Sequence, residues 1–356
     1  MDIKLENKEF RNILIIKPSS LGDVVRTLPV LAGLDQRYRR ARIRWLVRPD
    51  CAGVLEHSPH LDEIILFDRK HYGRIGRSVL ATRDFIRFCR MLRRKEFDLV
   101  LDLQGLFRSA FISLCTFAPV RLGFAHAREF APCFYTHRVA IGRQTEHVVE
   151  SYWEFARHLG FGHVPKRFDI AIDERSRQSA LALLEKHGVP GDQDYFVFLI
   201  GGTESAKQWP MEQFARLAEV CTKRYDRSVV LLGAGAVEVA LAETVLRHSQ
   251  AEIINLVNQT RLQEAIAILQ QAYAVVGNDS GPLHIAAALD TPTVGLYGPT
   301  NPRVVGPYGQ MDGVVQAGRT LQRNGRYSNH EQHRMEHITV EQVEEKISLK
   351  MKRVNE

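Results

Sequence analysis

An aspartate stands where an apolar strand gives way to a helix, in the run Ile15-Ile16-Lys17-Pro18-Ser19-Ser20-Leu21-Gly22-Asp23. A carboxylate there can cap the new helix by accepting its first N–H groups, or it can take a proton from a hydroxyl held beside it. Spacing alone leaves both readings open. A second strand exit, Gly201-Gly202-Thr203-Glu204-Ser205-Ala206-Lys207-Gln208-Trp209-Pro210, follows FVFLI. Its glycine pair, the Thr203 hydroxyl and the Lys207 charge suit phosphate oxygens, although a surface loop with a solvated lysine reads the same way. A third, Gly277-Asn278-Asp279-Ser280-Gly281-Pro282-Leu283-His284, follows AVV. Asp279, Ser280 and Gly281 set a carboxylate and two backbone N–H groups at a helix start, where the dipole favours a diphosphate. His284 comes one turn later on the face of Ser280 and serves equally well as a buried packing histidine. Gly233-Ala234-Gly235-Ala236 and Leu296-Tyr297-Gly298-Pro299-Thr300-Asn301-Pro302 are two further strand exits of this kind. Glu238, just after the former, is either a hydrogen-bond acceptor for ribose hydroxyls or a solvated helix residue. The convergence of these loops says more than any one of them.

The elements that must position these loops are short β-branched runs alternating with amphipathic segments. Strands are expected at Asn12–Ile16, Ile43–Val47, Asp98–Leu103, Tyr195–Ile200, Ser228–Leu232, Glu252–Leu256, Ala272–Val276 and Thr293–Tyr297. Helices are expected at Arg83–Arg94, Met211–Arg224, Val237–His248 and Leu262–Gln271, where apolar residues recur every three to four positions. This alternation predicts parallel sheets covered by helices. At 356 residues the chain suits two such units. The polar stretch from Asp173 to Asp194, rich in turn formers toward its end, marks the boundary region. We place an N-terminal acceptor domain at 1–175, a nucleotide-sugar domain at 176–337 and a terminal helix at 338–356 that returns to the N-terminal domain. Parallel sheets bind ligands at the C-terminal ends of their strands, so two facing domains are expected to share a cleft.

Composition narrows the function classes. Apolar residues at 45% and charged residues at 25% are ordinary for a globular protein. No run approaches the roughly 18 to 20 apolar residues that span a bilayer, and MDIKLENKEFRN is polar where a signal peptide is apolar, so a cytoplasmic enzyme is expected. Five scattered cysteines suggest neither a disulfide framework nor a zinc site. The net charge of +7 is uneven, since residues 1–175 hold 30 Lys/Arg against 21 Asp/Glu. Arg69 to Lys95 alone carries ten basic residues and one acidic one, Asp84. Such a field favours an anionic partner, and with no zinc finger, RNP-like or helix-turn-helix signature nucleic acid is not expected. The first strand exit is neither GxGxxG nor a Walker loop and is not read as dinucleotide or P-loop binding, and the missing dinucleotide fingerprint makes a dehydrogenase the least favoured rival.

In order along the chain, KPSSLGDVVRTLPVL, LDLQGLFRSA, KQWP, GNDSGPLHIAAAL and YGPTNP resemble the ADP-heptose:lipopolysaccharide heptosyltransferases of glycosyltransferase family nine, over about residues 12–310. The SSLGD form, the Asp102–Ala110 block and Ala127-Arg128-Glu129 are similar to the type I enzymes. The resemblance implies an α/β GT-B fold of two doubly wound Rossmann-like domains facing each other across a cleft, and an inverting, metal-independent transfer of heptose from ADP-heptose to the Kdo/inner-core region of a lipopolysaccharide precursor. It implies that Asp23 is the catalytic base and that Gly22, Thr203, Lys207, Glu238, Thr260, Asp279, Ser280, Gly281 and His284 bind the donor. By motif, Ser20, Arg26, Gln104, Arg108 and Arg128 are assigned to an anionic Kdo-lipid A acceptor. No cofactor or metal is expected, and the enzyme is expected to touch the cytoplasmic face of the inner membrane peripherally. Three histidines in NHEQHRMEH are read as solvated loop residues. The alternatives are a related transferase with another nucleotide-sugar or acceptor, a two-domain epimerase, and a nucleotide-binding protein without catalysis.

Overall fold

The computed structural model describes residues 5–142, 145–191, 193–202, 204–318 and 334–354. The chain divides into two compact units, Met1–Ala171 and Ile172–Glu356.

In the first unit, β1 (Asn12–Ile16), β2 (Arg42–Val47), β3 (Glu63–Leu66), β4 (Leu99–Asp102), β5 (Val120–Phe124) and β6 (His137–Val139) form one parallel sheet in the order β3-β2-β1-β4-β5-β6. Four of the five β1 residues are buried, as expected for a central strand covered on both faces. The helix Leu21–Arg37 packs against the helix Val148–His158. The helix Val79–Arg94 buries Ala81, Phe88 and Leu92 on one stripe, half-buries Phe85, and leaves its remaining arginines exposed. Its start is fixed by Ser78, whose hydroxyl accepts the Ala81 N–H at 3.3 Å.

The second unit repeats the plan. β7 (Tyr195–Leu199), β8 (Ser228–Leu231), β9 (Ile253–Asn255), β10 (Ala274–Asn278), β11 (Thr293–Tyr297) and β12 (Val314–Gln316) form a parallel sheet in the order β12-β11-β10-β7-β8-β9. β7, β10 and β11 are buried at every residue. Each unit is thus doubly wound, the α/β plan of the GT-B class that the sequence suggests.

Two sequence expectations change here. The contact boundary falls between Ala171 and Ile172, slightly ahead of residue 175. The terminal helix, Val340–Val354, does not stand apart from the second unit. Its stripe of Val340, Val343, Ile347 and Met351 is buried in the same core as Val294, Leu296 and Phe214. Trp209, wholly buried, donates its indole N–H to the Ile338 carbonyl at 2.9 Å and ties that helix to the β7 exit loop.

Candidate active site

In a doubly wound sheet the chain runs outward in opposite directions from one pair of neighbouring strands, and their C-terminal ends leave a crevice between diverging loops. In the first unit that pair is β1 and β4; in the second it is β7 and β10. Ten of the sequence-derived residues, Ser20, Gly22, Asp23, Arg26, Gln104, Lys207, Asp279, Ser280, Gly281 and His284, stand at these two places.

At the first, Asp23 occupies the first turn of the helix Leu21–Arg37 with Ser20 as N-cap. One carboxylate oxygen accepts the Ser20 N–H at 3.4 Å and its hydroxyl at 3.3 Å, contacts long enough to make weak caps. The other accepts Arg26 Nη1 at 3.1 Å. Lys17 Nζ lies 3.7 Å from the same oxygen that faces Ser20. Asp23 therefore caps its helix and also stands between two cations. Its side chain is 28% exposed, against 4% for Lys17 and 8% for Arg26, so the carboxylate is the open member of the cluster. Burial would push the Asp23 carboxyl up, but the Lys17 and Arg26 charges outweigh it and hold it below the usual aspartate value.

Lys17 is a residue that motif reading passed over. Burial disfavours its ammonium, yet Tyr152 and Asp23 more than offset this and raise it above the ordinary lysine value. The ammonium sits 4.9 Å from the centre of the Tyr152 ring and donates to the Leu103 carbonyl at 3.2 Å. It joins the β1 exit to the β4 exit. Lys17 is quoted within the SSLGD run, but its partner lies on the helix Val148–His158, which no local pattern announces.

The β4 exit is held from below by Asp102, wholly buried, which accepts the N–H groups of Gln104 at 3.0 Å and Gly105 at 3.2 Å and the Tyr135 hydroxyl at 2.7 Å. Burial raises its carboxyl despite these donors, which fits a structural rather than a reacting group. The Tyr135 ring lies over Gly123, where any Cβ would land on it. Gln104 Oε1, above this platform, is buried without a hydrogen-bond partner, an acceptor that a ligand hydroxyl would satisfy. The Arg128 N–H donates to the Gly105 carbonyl at 3.2 Å, so the β5 exit touches the β4 exit, while the Arg108 and Arg128 side chains are exposed. Ser20, Asp23, Arg26 and Gln104 thus share one crevice. Arg108, in the first turn of the helix Phe107–Cys115, and Arg128, on the β5 exit loop, border it, and Gly22 is buried one residue before Asp23.

At the second switch point Lys207 Nζ pairs with Asp279 Oδ2 at 3.2 Å, the two side chains being 14% and 9% exposed. His284 Nε2 lies 3.4 Å from the other Asp279 oxygen. Ser280 is the N-cap and Gly281 the first residue of the helix Gly281–Ala288. The Ser280 Oγ and, on the β11 exit, the Thr300 Oγ1 are buried without partners. The two orphaned hydroxyls at neighbouring strand exits and the Lys207 ammonium are donors that phosphate oxygens would accept from. Asn278, wholly buried, holds the loops together by accepting the Trp209 N–H at 3.0 Å and donating to the Ile200 and Gly201 carbonyls at 2.9 and 3.2 Å. Thr300 and Asn278 both stand in runs the sequence reading singled out, but only the fold shows what their side chains meet.

Glu238 accepts the Ala234 N–H at 2.9 Å and packs so closely on the β7 and β8 exits that a Cβ on Gly201 or Gly233 would land on its carboxylate. Burial raises its carboxyl. Thr260 is half-buried on the loop after β9, which is tied to the β8 exit by Asn258. No described contact brings Thr260 to Lys207 or Asp279. Thr203 lies outside the described residues, as do two of the three histidines of NHEQHRMEH. Among the described residues no cluster of three or more His, Cys, Asp or Glu side chains is arranged to hold a metal ion.

Comparison with known proteins gives a consistent picture. The family model described as Glycosyltransferase family 9 (heptosyltransferase) matches residues 85–335. Lipopolysaccharide heptosyltransferase 1 of Pseudomonas aeruginosa is 31% identical over 304 residues, covering 84% of this chain and 81% of that protein. Its namesake from Escherichia coli K12 is 29% identical over 312 residues, 86% and 94% of the two chains. The solved structure of E. coli heptosyltransferase WaaC with ADP superposes with a TM-score of 0.77 at 26% identity, over 95% of this chain and 99% of that one.

Proposed function

From the premise that this chain belongs to glycosyltransferase family 9, we propose that it is an inverting heptosyltransferase that moves heptose from ADP-heptose to the Kdo/inner-core region of a lipopolysaccharide precursor. The observation that carries the reading is Asp23, an ionised and partly open carboxylate at a switch point, in a chain whose other switch point presents Lys207, Ser280 and Thr300 to an anion.

Inversion needs a base for the acceptor hydroxyl and stabilisation of the leaving diphosphate on the opposite side of the anomeric carbon. Asp23 is the base. Held below the usual aspartate range, it is a weak acceptor for a sugar hydroxyl, so proton transfer completes only as the new C–O bond forms and the hydroxyl turns acidic. The greater share of the barrier then falls on charge stabilisation at the diphosphate by Lys207, the hydroxyls of Ser280 and Thr300, and the amides at Gly281. This provision needs no divalent ion. Gln104 and the arginines Arg26, Arg108 and Arg128 take hydroxyl, carboxylate and phosphate groups of the acceptor. The acceptor is anchored in a bilayer, and the enzyme works at the cytoplasmic membrane face. Among the described residues no helix is long and apolar enough to cross it.

Two expectations follow. Because cations hold Asp23 low, the acid limb of the kcat/KM profile is expected below the ordinary aspartate value. Arg26→Gln removes one of those cations, raises the Asp23 pKa and moves the limb to higher pH; an unmoved limb in a pH series of initial rates would separate Asp23 from the limb. Glu238, as acceptor for ribose hydroxyls, depends on two glycines. Gly201→Ala pushes its carboxylate aside, and the lost charged hydrogen bond, worth about 1.5–3 kcal/mol, raises the KM for the nucleotide-sugar by roughly 10- to 100-fold. Steady-state kinetics and a thermal melt distinguish this from general destabilisation.

The reading is tested by product analysis. Incubation with ADP-heptose and a deacylated Kdo-containing acceptor is expected to add one heptose, with the anomeric configuration opposite to that of the donor by NMR. Retained configuration would remove the single-displacement role of Asp23. Efficient use of other nucleotide-sugars with rejection of ADP-heptose would reassign the donor.

A further inference from the structure

The helix Val79–Arg94 spends Ala81, Phe85, Phe88 and Leu92 on the core, and its opposite face carries Val79, Arg83, Ile86 and Arg90 at three-to-four spacing. That outer face is apolar as well as basic. Val79 is 89% exposed, Leu80 53% and Ile86 46%, and Ile75 just before the helix is 41% exposed. Around them stand Arg74, Arg77, Arg83, Arg87 and Arg90, all exposed. A shallow groove of about 620 Å³ runs here, lined by Val79, Ile86, Arg77, Arg83, Arg87 and Arg90. Asp84 is the one carboxylate in this stretch; it meets Arg87 at 3.6 Å, Arg83 at 3.8 Å and the His71 ring at 3.2 Å, and leaves the face strongly positive.

We infer that this face is a docking surface for an anionic phospholipid bilayer, with the aliphatic side chains entering the headgroup–acyl boundary and the arginines meeting lipid phosphates. Arginine alone would suit any polyanion. Exposed Val79, Leu80, Ile75 and Ile86 gain nothing from a nucleic-acid backbone and offer no ring for a base to stack on, whereas an interfacial helix combines basic residues with aliphatic ones. On the core side of the same helix, a run of rings leads to the acceptor loop. Phe85 stacks on Phe111 with centroids 6.3 Å apart, and Phe111 on Phe107 at 6.2 Å. Phe107, 47% exposed, opens the helix that follows the Gln104 loop and neighbours Arg108. A bilayer on this face would deliver a lipid-anchored acceptor beside the Asp23 crevice. The inference rests on the proposed membrane-anchored acceptor for its purpose, though not for its geometry.

The test is sedimentation of the full chain with vesicles free of any lipopolysaccharide, made of phosphatidylcholine alone or with about one-third phosphatidylglycerol. Binding is expected to the anionic vesicles only, and to weaken at least tenfold between about 0.1 and 0.5 M salt. The triple variant Val79→Glu, Leu80→Glu, Ile86→Glu is expected to lose vesicle binding at least roughly tenfold while turning over a deacylated acceptor at the wild-type rate. Replacing Arg77, Arg83, Arg87 and Arg90 by Gln is expected to cost about fivefold per residue. Absence of binding to anionic vesicles, or binding that the triple variant leaves unchanged, overturns the inference, as does a duplex oligonucleotide that binds equally well and displaces the vesicles. Vesicle binding as expected in a protein that transfers no heptose in solution would uphold this surface and overturn the proposed function instead.

Discussion

Asp23→Asn is expected to lower kcat by about 10²- to 10⁴-fold while leaving the affinity for ADP within roughly twofold, because ADP is assigned to the second unit. Asparagine keeps the shape of the side chain and an oxygen for the Ser20 N–H, so the helix cap survives. What disappears is the negative charge that Arg26 meets at 3.1 Å and Lys17 at 3.7 Å. The same loss costs stability, since Lys17 is nearly buried and its other contacts, the Leu103 carbonyl and the Tyr152 ring, carry no full negative charge. A thermal melt beside the rate measurement therefore matters: a folded variant with unimpaired ADP binding and a collapsed rate identifies a base. A folded variant that keeps more than about a tenth of wild-type turnover, below the usual contribution of a general base, identifies a helix cap.

The second large effect belongs to Lys207. Lys207→Met removes the ammonium from the proposed diphosphate site and is expected to lower kcat/KM by about 10²- to 10³-fold, in the range of other donors aimed at developing negative charge. It also leaves Asp279, 9% exposed, without the lysine it meets at 3.2 Å. Lys207→Arg is expected to restore little, because a planar guanidinium does not replace a compact ammonium between a carboxylate and a phosphate. Titration calorimetry with ADP and initial rates with ADP-heptose separate ground-state from transition-state loss. Unchanged values in both would reduce Lys207 to the structural partner of Asp279.

What could be read from the sequence was local. Asn12–Ile16 and Thr293–Tyr297 are apolar runs bounded by turn formers, and both are strands with those limits. Glu63–Leu66, Val120–Phe124, His137–Val139 and Val314–Gln316 went unrecognised because three of them have four residues or fewer and Val120–Phe124 is interrupted by Arg121 and Gly123; neighbouring strands, not their own patterns, make them strands. The terminal helix shows the same limit. Val340, Val343, Ile347 and Met351 announce an amphipathic stripe, yet nothing in their spacing says which core receives it. In the site, the motif residues Asp23, Lys207, Asp279 and Ser280 stand at strand exits where the residue types pointed. Lys17, Tyr152, Asn278 and Tyr135 act through contacts between distant parts of the chain, and only the topology brings those together. For Asp23 and His284 the structure shows the bland reading without removing the other: Asp23 caps its helix and keeps an open carboxylate, and His284 is buried within reach of Asp279.

The most direct measurement follows ADP release from ADP-heptose in the presence of a deacylated Kdo-containing acceptor and a chelator of divalent metals, with wild type and Asp23→Ala side by side. Sustained, acceptor-dependent release by the wild type and none above background by the variant is the expected result. Tight ADP binding without acceptor-dependent release, release that requires an added divalent cation, or equal release by both proteins would contradict a metal-independent transfer in which Asp23 is the base.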